Sequence, residues 1–528
     1  MKYPLRYVRA LFVALALLSF SQVSPAQETT GVISGTVKDS NGATVSGATV
    51  TISDADKKVE VRTIAVNENG EFVAPNLLSG FYDVAIEAPG FKKSLLSRVK
   101  LDVGDRRTVD VILEAGNEPG GVVHSFVKDG FELDAGPNSI GATPATIAFI
   151  REIGLEHEMM EASAASKNRF LVRDQQLHPI SPNPVKILSS SYLSGAAKWR
   201  LFTERFRAAQ PTTEEESVAS FIQRRFNREI CDYLFDPILS GIYAGDPARL
   251  SIQEVLPFLP RWEKEYGSVT KGLFKNKAAM GGRKIVAFKG GNSRLVKHLQ
   301  SLLTTPLRFN SRITTVECTP AGYNVQYNAN GQTETIQAAR LVFTTPAYAT
   351  AAILQRLDPA LAQLLNGIIY PRMGVLHLGF ERDAVQNMPE GFGFLVPKVA
   401  GLHFLGAICN SEIFPSRAPQ GKALFTIFTG GVQQEHYFDE MSDEHLQQKI
   451  LSELGTLLQL SQPPVMQHFS RWEKAIPQLN TGHRQVRTAV QAFEERFPGI
   501  FISGNYMSGV AVPAILQHAG GLAERLSQ

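Results

Sequence analysis

Gly499–Leu526, GIFISGNYMSGVAVPAILQHAGGLAERL, reads as a strand, a glycine turn and a helix in succession. Ile500–Ile502 is a short apolar run of the kind that forms a buried strand. Gly504, Ser508 and Gly509 then break the chain, and Pro513 suits a first helical turn, where its missing N–H is not needed. Ile515, Ala519, Leu522 and Leu526 recur at three- and four-residue spacing, which predicts one buried helix face. Ala519, Gly520 and Gly521 keep one side of that helix thin. Such a unit aims free N–H groups and a positive dipole end at one point, suited to an anion or an electron-rich ring edge. An ordinary strand–loop–helix accounts for the same residues, so the rest of the chain has to decide.

The chain has 528 residues, enough for two or more domains, and a formal net charge of +3, which gives no argument for a nucleic-acid partner. Cys231, Cys318 and Cys409 are scattered and odd in number, so neither a disulfide framework nor a zinc-ligand spacing is present. Near the start, Lys2, Arg6 and Arg9 precede the apolar run Ala10–Phe20, and Ser24-Pro25-Ala26 offers a small-residue cleavage site. The run is short for a membrane span, so residues 1–26 read as a secretory signal, with an uncleaved anchor as the alternative.

Residues 31–115 show alternation punctuated by turns. Val32–Val37, Ala48–Ser53, Tyr82–Glu87 and Thr108–Leu113 are strand-like. Asp39-Ser40-Asn41-Gly42, Glu68-Asn69-Gly70 and Pro89-Gly90-Phe91 are turn-like. Short strands at regular spacing predict a small β-sandwich. Gly35–Ile52 (GxVxDxxGAxVxGAxVxI), Asn69-Gly70-Glu71-Phe72 and Gly80–Val84 together resemble the carboxypeptidase regulatory-like domain found at the front of secreted bacterial proteins. That likeness implies a folding or binding module without catalytic residues.

The composition changes at Gly116-Asn117-Glu118-Pro119. Gly120-Gly121 allows close backbone approach, and Gly136-Pro137 turns the chain after a short strand. Helical spacing follows over Thr146–Ile153 and Ser217–Phe235, with Ser217 as a cap. Between them, Ala196–Ala208 sets Trp199, Phe202 and Phe206 on one side with Lys198, Arg200, Arg205 and Arg207 flanking. A basic amphipathic helix of this kind suits a membrane surface. The simpler expectation is that the aromatic side faces the core and the basic side faces water. Asp236–Pro247 reads as a Gly/Pro-punctuated loop between helices.

As a string, Pro237–Ser251 (PxxSGIYAGDPxxLS) resembles the protoporphyrinogen oxidase family of the flavin amine-oxidase superfamily. Further words follow in order: Asp129–Asn138, Phe288-Lys289-Gly290-Gly291, Ile313–Glu317, Phe343–Ala347, Gly391–Pro397, Phe414–Pro419, Arg471–Gln478 and the opening stretch. The resemblance runs from Gly120 to the C-terminus. It implies an oxidase body over 117–528, with a helical subdomain at about 165–282. The fold expected is multidomain: an all-β sandwich, an α/β FAD-binding part of truncated Rossmann-like form, and an α+β substrate domain with helices. FAD is the implied cofactor, and the implied reaction is oxidation of protoporphyrinogen IX to protoporphyrin IX.

The same matching assigns roles to residues. Arg169 would neutralise a propionate, Asn138 would face the reacting edge, and Leu395 and Phe414 would sandwich the macrocycle. Gly120, Gly121, Gly136, Pro137, Asn138, Ser139, Val316, Trp472, Gly504, Asn505, Val510, Ala511, Val512 and Pro513 would hold the flavin. No catalytic side chain is assigned, because hydride passes to the flavin. No Ser/His/Asp set, metal-ligand cluster or complete P-loop stands in the chain.

One expected part is missing. The family begins with a strand–GxGxxG–helix unit of ~30 residues that grips the dinucleotide. No GxGxxG occurs here, and the sandwich stands where the unit belongs. Losing several charge-assisted hydrogen bonds at ~1.5–3 kcal/mol each predicts a large loss of FAD affinity and open strand edges. Compartments conflict too: the signal implies the periplasm or envelope, whereas the family implies cytoplasm or the inner face of a membrane. The competing readings are an exported binding protein on a relic oxidase scaffold, a coproporphyrinogen III oxidase, and another flavin amine oxidase. A small-molecule porphyrinogen is the expected partner and nucleic acid is not; peripheral membrane contact and a homodimer stay open.

Overall fold

The computed structural model describes residues 30–37, 47–67, 71–88, 94–101, 106–107, 111–181, 187, 190–210, 215–276, 282–320, 322–329 and 331–527. The expected signal and the turns at 39–42, 68–70 and 89–91 lie outside these residues. The chain divides into two compact units, Met1–Ile112 and Leu113–Gln528.

In the first unit, Glu71–Leu78, Thr30–Thr36 and Arg106–Arg107 form a three-stranded sheet. Val59–Ala65, Thr49–Asp54, Gly80–Glu87 and Ser94–Leu101 form a four-stranded one. The period of two does the sorting. Val50, Ile52, Phe72, Ala74, Tyr82 and Val84 turn into one shared core, while Thr49, Glu71 and Val73 stay outside.

The second unit is built on a seven-stranded sheet. Its order is Gln176–Ile180, Arg169–Arg173, Gly393–Leu395, Gly406–Cys409, Lys422–Gly430, Met373–Glu381, Met466–Trp472. Leu376, Leu378, Phe380, Phe394, Ala407, Phe425 and Ile427 point to one face. There they meet Leu446, Ile450, Leu454 and Leu457 of the helix Asp443–Leu458, which Ser442 caps. The alternate residues point the other way. In register these are Arg169 and Leu171, level with Gly393 and Leu395, then Ile408, Thr426, His377 and His468, with Trp472 further along the last strand. Every residue expected from this sheet to serve the site therefore stands on a single face.

The parallel part of the fold is small. Leu341–Phe343 and Ile500–Ile502 pair in parallel, beside the antiparallel meander Ser311–Thr319, Gly322–Ala329 and Gln332–Ala338. Val342 is 42% exposed, and no further strand pairs with this element among the described residues. The C-terminal helix, Val512–Ser527, departs from its sequence pattern. Only Leu522 is buried; Ile515, Ala519, Gly520 and Gly521 are exposed, and a Cβ on either glycine would meet nothing within 4 Å. Its apolar repeat is intact, but a second packing surface for it is absent from the described residues.

Helices fill the region between Gly195 and Lys275. Ser217 does cap Val218–Arg225, but the expected single helix breaks at Phe226 and restarts from Asn227, whose side chain accepts from the Ile230 N–H. Asp236–Tyr243, expected as loop, is helical, because Pro237 falls in the first turn, where proline is tolerated. The helix Gly195–Thr203 and its 3₁₀ extension Glu204–Phe206 also correct an expectation. Trp199, Phe202 and Phe206 face out, at 65%, 44% and 73% exposure. The inner side holds Ala197, Leu201 and Glu204 instead. Glu204 has no solvent exposure and accepts from Arg225 Nε (2.9 Å), Ser268 Oγ (2.6 Å) and the Val269 and Thr270 N–H groups (3.0 Å each). Burial alone would raise its pKa, but bonds from Ser268, Thr270 and Arg225 outweigh that and hold it below the ordinary value. Anchoring by a buried carboxylate, not by aromatic packing, sets the rotation of this helix.

Removing one side of a buried ion pair leaves the other uncompensated, so Glu204→Ala is expected to cost about 3–5 kcal/mol in urea unfolding. Phe206→Ser, on the exposed side, is expected to stay within about 0.5 kcal/mol of the parent chain.

Candidate functional site

Asp134 ends the strand Phe131–Asp134 and is 2% exposed. Its carboxylate accepts from Arg417 Nη1 (2.6 Å), the Asn292 N–H (2.9 Å), Asn292 Nδ2 (3.3 Å) and Ser125 Oγ. Three sequence words thus meet at one buried charge: FELDAGPN, FKGGN and FPSRAP. Arg417 is itself 1% exposed, and its Nε and Nη2 have no hydrogen-bond partner among the described residues. The Asp134 carbonyl accepts from His377 Nε2 (3.1 Å) and Asn138 Nδ2 (3.0 Å).

Above this node the turn Gly136–Ser139 is held from inside. Asn138 Nδ2 donates to the Gly136 carbonyl (3.0 Å), and Asn138 Oδ1 accepts from Asn410 Nδ2 (2.9 Å). Thr426 Oγ1 donates to Asn410 Oδ1 (2.7 Å), closing a buried polar triad. Trp472 Nε1 donates to the Ala135 carbonyl (3.0 Å). Gly136 has to be glycine, because a Cβ there would lie 1.9 Å from the Val122 carbonyl oxygen. Gly120 and Gly121, at φ 109° and 55°, make the tight turn that leads into Val122. A cavity of about 330 Å³ opens beside Gly121, lined by His124, Ser293 and Lys297 among others. Val512 packs against the Ile140 cluster, so the start of the C-terminal helix, with Val510, Ala511 and Pro513, comes up to the strand that follows Ser139. Gly504 and Asn505 lie at the turn after Ile500–Ile502. Val316 is different: its side chain sits in a separate core with Val325 and Phe343.

Of the remaining candidates, Arg169 and Leu395 stand on the same sheet face, and Phe414 belongs to a cluster that packs on Ile408 of that face. Arg169 is exposed, with its guanidinium carbon 4.6 Å from the centre of the Phe392 ring. It has no ion-pair or hydrogen-bonding partner among the described residues. Phe392 packs on a cluster containing Phe414, which is 2% exposed. Leu395 lies against the Ser240-Gly241 segment, where a Cβ on Gly241 would stand 2.5 Å from Leu395 Cδ2. That contact explains the first glycine of the SGIYAG word, Gly241. Asn138 is fully occupied by internal bonds, so its side chain holds the turn.

Sequence reasoning passed over Asp134, Arg417, Asn410, Thr426, His377 and Phe392. A signal existed for Arg417, the lone charge inside the otherwise uncharged, Pro-containing word FPSRAP.

The profile of flavin-containing amine oxidoreductases matches residues 105–521, and that of the carboxypeptidase regulatory-like domain matches residues 32–114. The chain belongs to the flavin-containing amine oxidoreductase family. Among its relatives is protoporphyrinogen oxidase 2 of Arabidopsis thaliana, chloroplastic/mitochondrial, 28% identical over 76% of this chain and 85% of that one. Another is coproporphyrinogen III oxidase of Bacillus subtilis, 26% identical over 76% and 88%. A solved structure from Exiguobacterium sp. 255-15, provisionally assigned as a protoporphyrinogen oxidase, shares the fold at TM-score 0.68 and 21% identity, over 79% and 93%. This amine oxidoreductase is an α/β flavoprotein body behind a β-rich domain, and its cofactor is FAD.

Its residues fit the ring end of that cofactor. The glycine turns bring bare backbone together, and Asn138, Asn410 and Thr426 beneath the Gly136–Ser139 turn are bonded to one another and to its backbone. The nucleotide end is another matter: among the described residues the parallel element consists of two strands, and neither is followed by a GxGxxG turn.

His377 offers a measurement on the node itself. Burial pushes its pKa from an ordinary 6.5 down to about 4, and its Nδ1 has no partner among the described residues. A base depressed in the folded state leaves the unfolded chain binding more protons between those values. The oxidoreductase is therefore expected to lose roughly 3 kcal/mol of stability as pH falls from about 6.5 to about 4. His377→Gln is expected to flatten that slope in urea titrations across the range.

Proposed function

We propose that this oxidoreductase oxidises a propionate-bearing porphyrinogen, protoporphyrinogen IX in the first instance, to the porphyrin. The observation that carries the reading is Arg169. It is a cation that meets no acid among the described residues, on the same sheet face as the flavin-side residues and backed by an aromatic ring. An unpaired guanidinium beside apolar surface suits a carboxylate on a large apolar molecule, since the fork geometry binds both oxygens. The names of the relatives favour the same substrate class. Because both porphyrinogens carry propionates, coproporphyrinogen III is the second candidate.

The chain's own residues divide the work. Arg169 fixes one edge of the macrocycle, Leu395 presents an apolar wall against which it lies, and Phe414, buried, supports Phe392 from beneath. Asn138, braced by Asn410 and Thr426, keeps the Gly136–Ser139 backbone at one height. Gly120, Gly121, Gly136, Pro137, Ser139, Trp472, Gly504, Asn505 and Val510–Pro513 would hold the flavin ring. When bound, the flavin supplies an acceptor for hydride from a ring methylene. Nothing comparable among the described residues holds an adenosine, which supports a second reading, a binding protein on a relic oxidase scaffold. The regulatory-like domain favours a surface or extracellular setting.

Two measurements separate these readings. In fluorescence titration, Arg169→Ala is expected to weaken protoporphyrin IX binding about ten-fold or more, and binding of its dimethyl ester hardly at all. Equal loss for acid and ester would remove Arg169 from the carboxylate role. For the cofactor, FAD and FMN are expected to bind the purified chain within about three-fold of each other, since the adenosine half meets no grip. FAD binding a hundred-fold tighter would show an adenosine pocket, and no binding of either would favour the relic scaffold.

A further inference from the structure

We propose, resting on the reading of Leu395 as a wall of a porphyrinogen site, that Asp236 is the positioning residue that holds this wall in place. Asp236 is the first residue of the helix Asp236–Tyr243 and is 5% exposed. An acid at a helix start ordinarily turns to the N–H groups of its own first turn. Here both carboxylate oxygens reach out of the helix. Oδ2 accepts from the Lys398 N–H (2.8 Å) and Oδ1 from Gln433 Nε2 (2.7 Å). Lys398 follows the strand Gly393–Leu395, and Gln433 follows the strand Lys422–Gly430. Both strands pair antiparallel with Gly406–Cys409, which lies between them, so their exits stand at one end of the sheet. A single carboxylate therefore ties the helix to both exits.

The other end of the helix is held as well. Ala244 closes it in the left-handed conformation, at φ 52°, and the Ala244 carbonyl accepts from the Val432 N–H (2.8 Å). Gly431 has to be bare for that approach, because a Cβ there would lie 2.7 Å from the same carbonyl oxygen. The chain enters the helix through a π-helical turn, Cys231–Phe235, a departure from α geometry that recurs at functional sites. Fastened at both ends, the helix lays Gly241 on Leu395, where a Cβ would stand 2.5 Å from Leu395 Cδ2. With no side chain at Gly241 to give way, a shift of the helix is passed directly to Leu395.

Packing alone does not account for an acid at this position, since an apolar side chain would be buried there without penalty. Burial pushes the Asp236 carboxyl above the ordinary carboxylate range, against the bonds from Gln433 and Lys398 that lower it. What the carboxyl supplies is direction: two bonds of fixed geometry, which apolar contact does not set.

Two readouts on the full chain test this. In Asp236→Ala, hydrogen exchange is expected to quicken about ten-fold over residues 396–398 and 431–433 and to stay at the parent rate in Asp443–Leu458. In fluorescence titration, the same variant is expected to bind protoporphyrin IX and its dimethyl ester about five-fold more weakly, both alike, because an apolar wall has moved and no carboxylate contact is touched. Asp236→Asn keeps an acceptor for the Lys398 N–H, and Gln433 can turn its amide to meet the new donor. It is expected to bind both ligands within about two-fold of the parent chain. Should Asp236→Ala unfold, Gln433→Leu removes one of the two bonds and is expected to weaken both ligands about three-fold. Loss confined to the free acid would show Asp236 acting through its charge and overturns the proposal. Unchanged binding in Asp236→Ala or Gln433→Leu overturns it as well. A parent chain that binds neither acid nor ester removes the porphyrinogen reading, whereas unquickened exchange at 396–398 removes the positioning role by itself.

Discussion

The carboxylate of Asp134 is the constraint around which the oxidase body is assembled. A charge taken out of water has to be met by donors with good geometry, or the fold that buries it does not form. Here the donors come from three distant parts of the chain: Ser125, Asn292 and Arg417. Ser125 begins a short strand, Asn292 caps the helix Ser293–Ser301 and Arg417 ends a single 3₁₀ turn. Meeting at one acid gives them a fixed mutual arrangement that apolar packing, being non-directional, would not specify. The turn at Gly136–Ser139 inherits that arrangement, because it begins two residues further on.

A second constraint is the pleat of the seven-stranded sheet. With side chains alternating, one face supplies the dry core against Asp443–Leu458 and the other carries the site residues together with buried Leu171, Leu424 and Met466. Arg169, Leu395, Thr426, His377 and Trp472 fall on this second face although they come from five strands. A shift of one residue in any strand would send its site residue into the leucine core. Stability and site geometry are therefore not separable in this sheet.

On the cofactor side a packing partner is missing from the described residues, and the surface stays open. The C-terminal helix keeps its apolar repeat, yet only Leu522 is buried, and Gly520 and Gly521 face open space. The parallel pair Leu341–Phe343 and Ile500–Ile502 leaves Val342 uncovered.

Much of this was legible in the residues. Period-two stretches marked the sandwich, Ser217 marked a helix start, and Ile500–Ile502 marked a strand, because local backbone preference and apolar spacing act over a few residues. The words around Pro237–Ser251, Gly391–Pro397 and Phe414–Pro419 carried the family. Burial was not legible in the same way. Trp199, Phe202 and Phe206 have a core-like spacing, but a single buried glutamate between the last two of them decides which side of their helix faces in. Ile515 and Ala519 have the spacing of a buried face, but burial needs a second surface, and that surface is a property of the assembled chain. Likewise Asp134 and Arg417 stand 283 residues apart; each is an unremarkable charge in sequence, and only the folded chain makes them one ion pair.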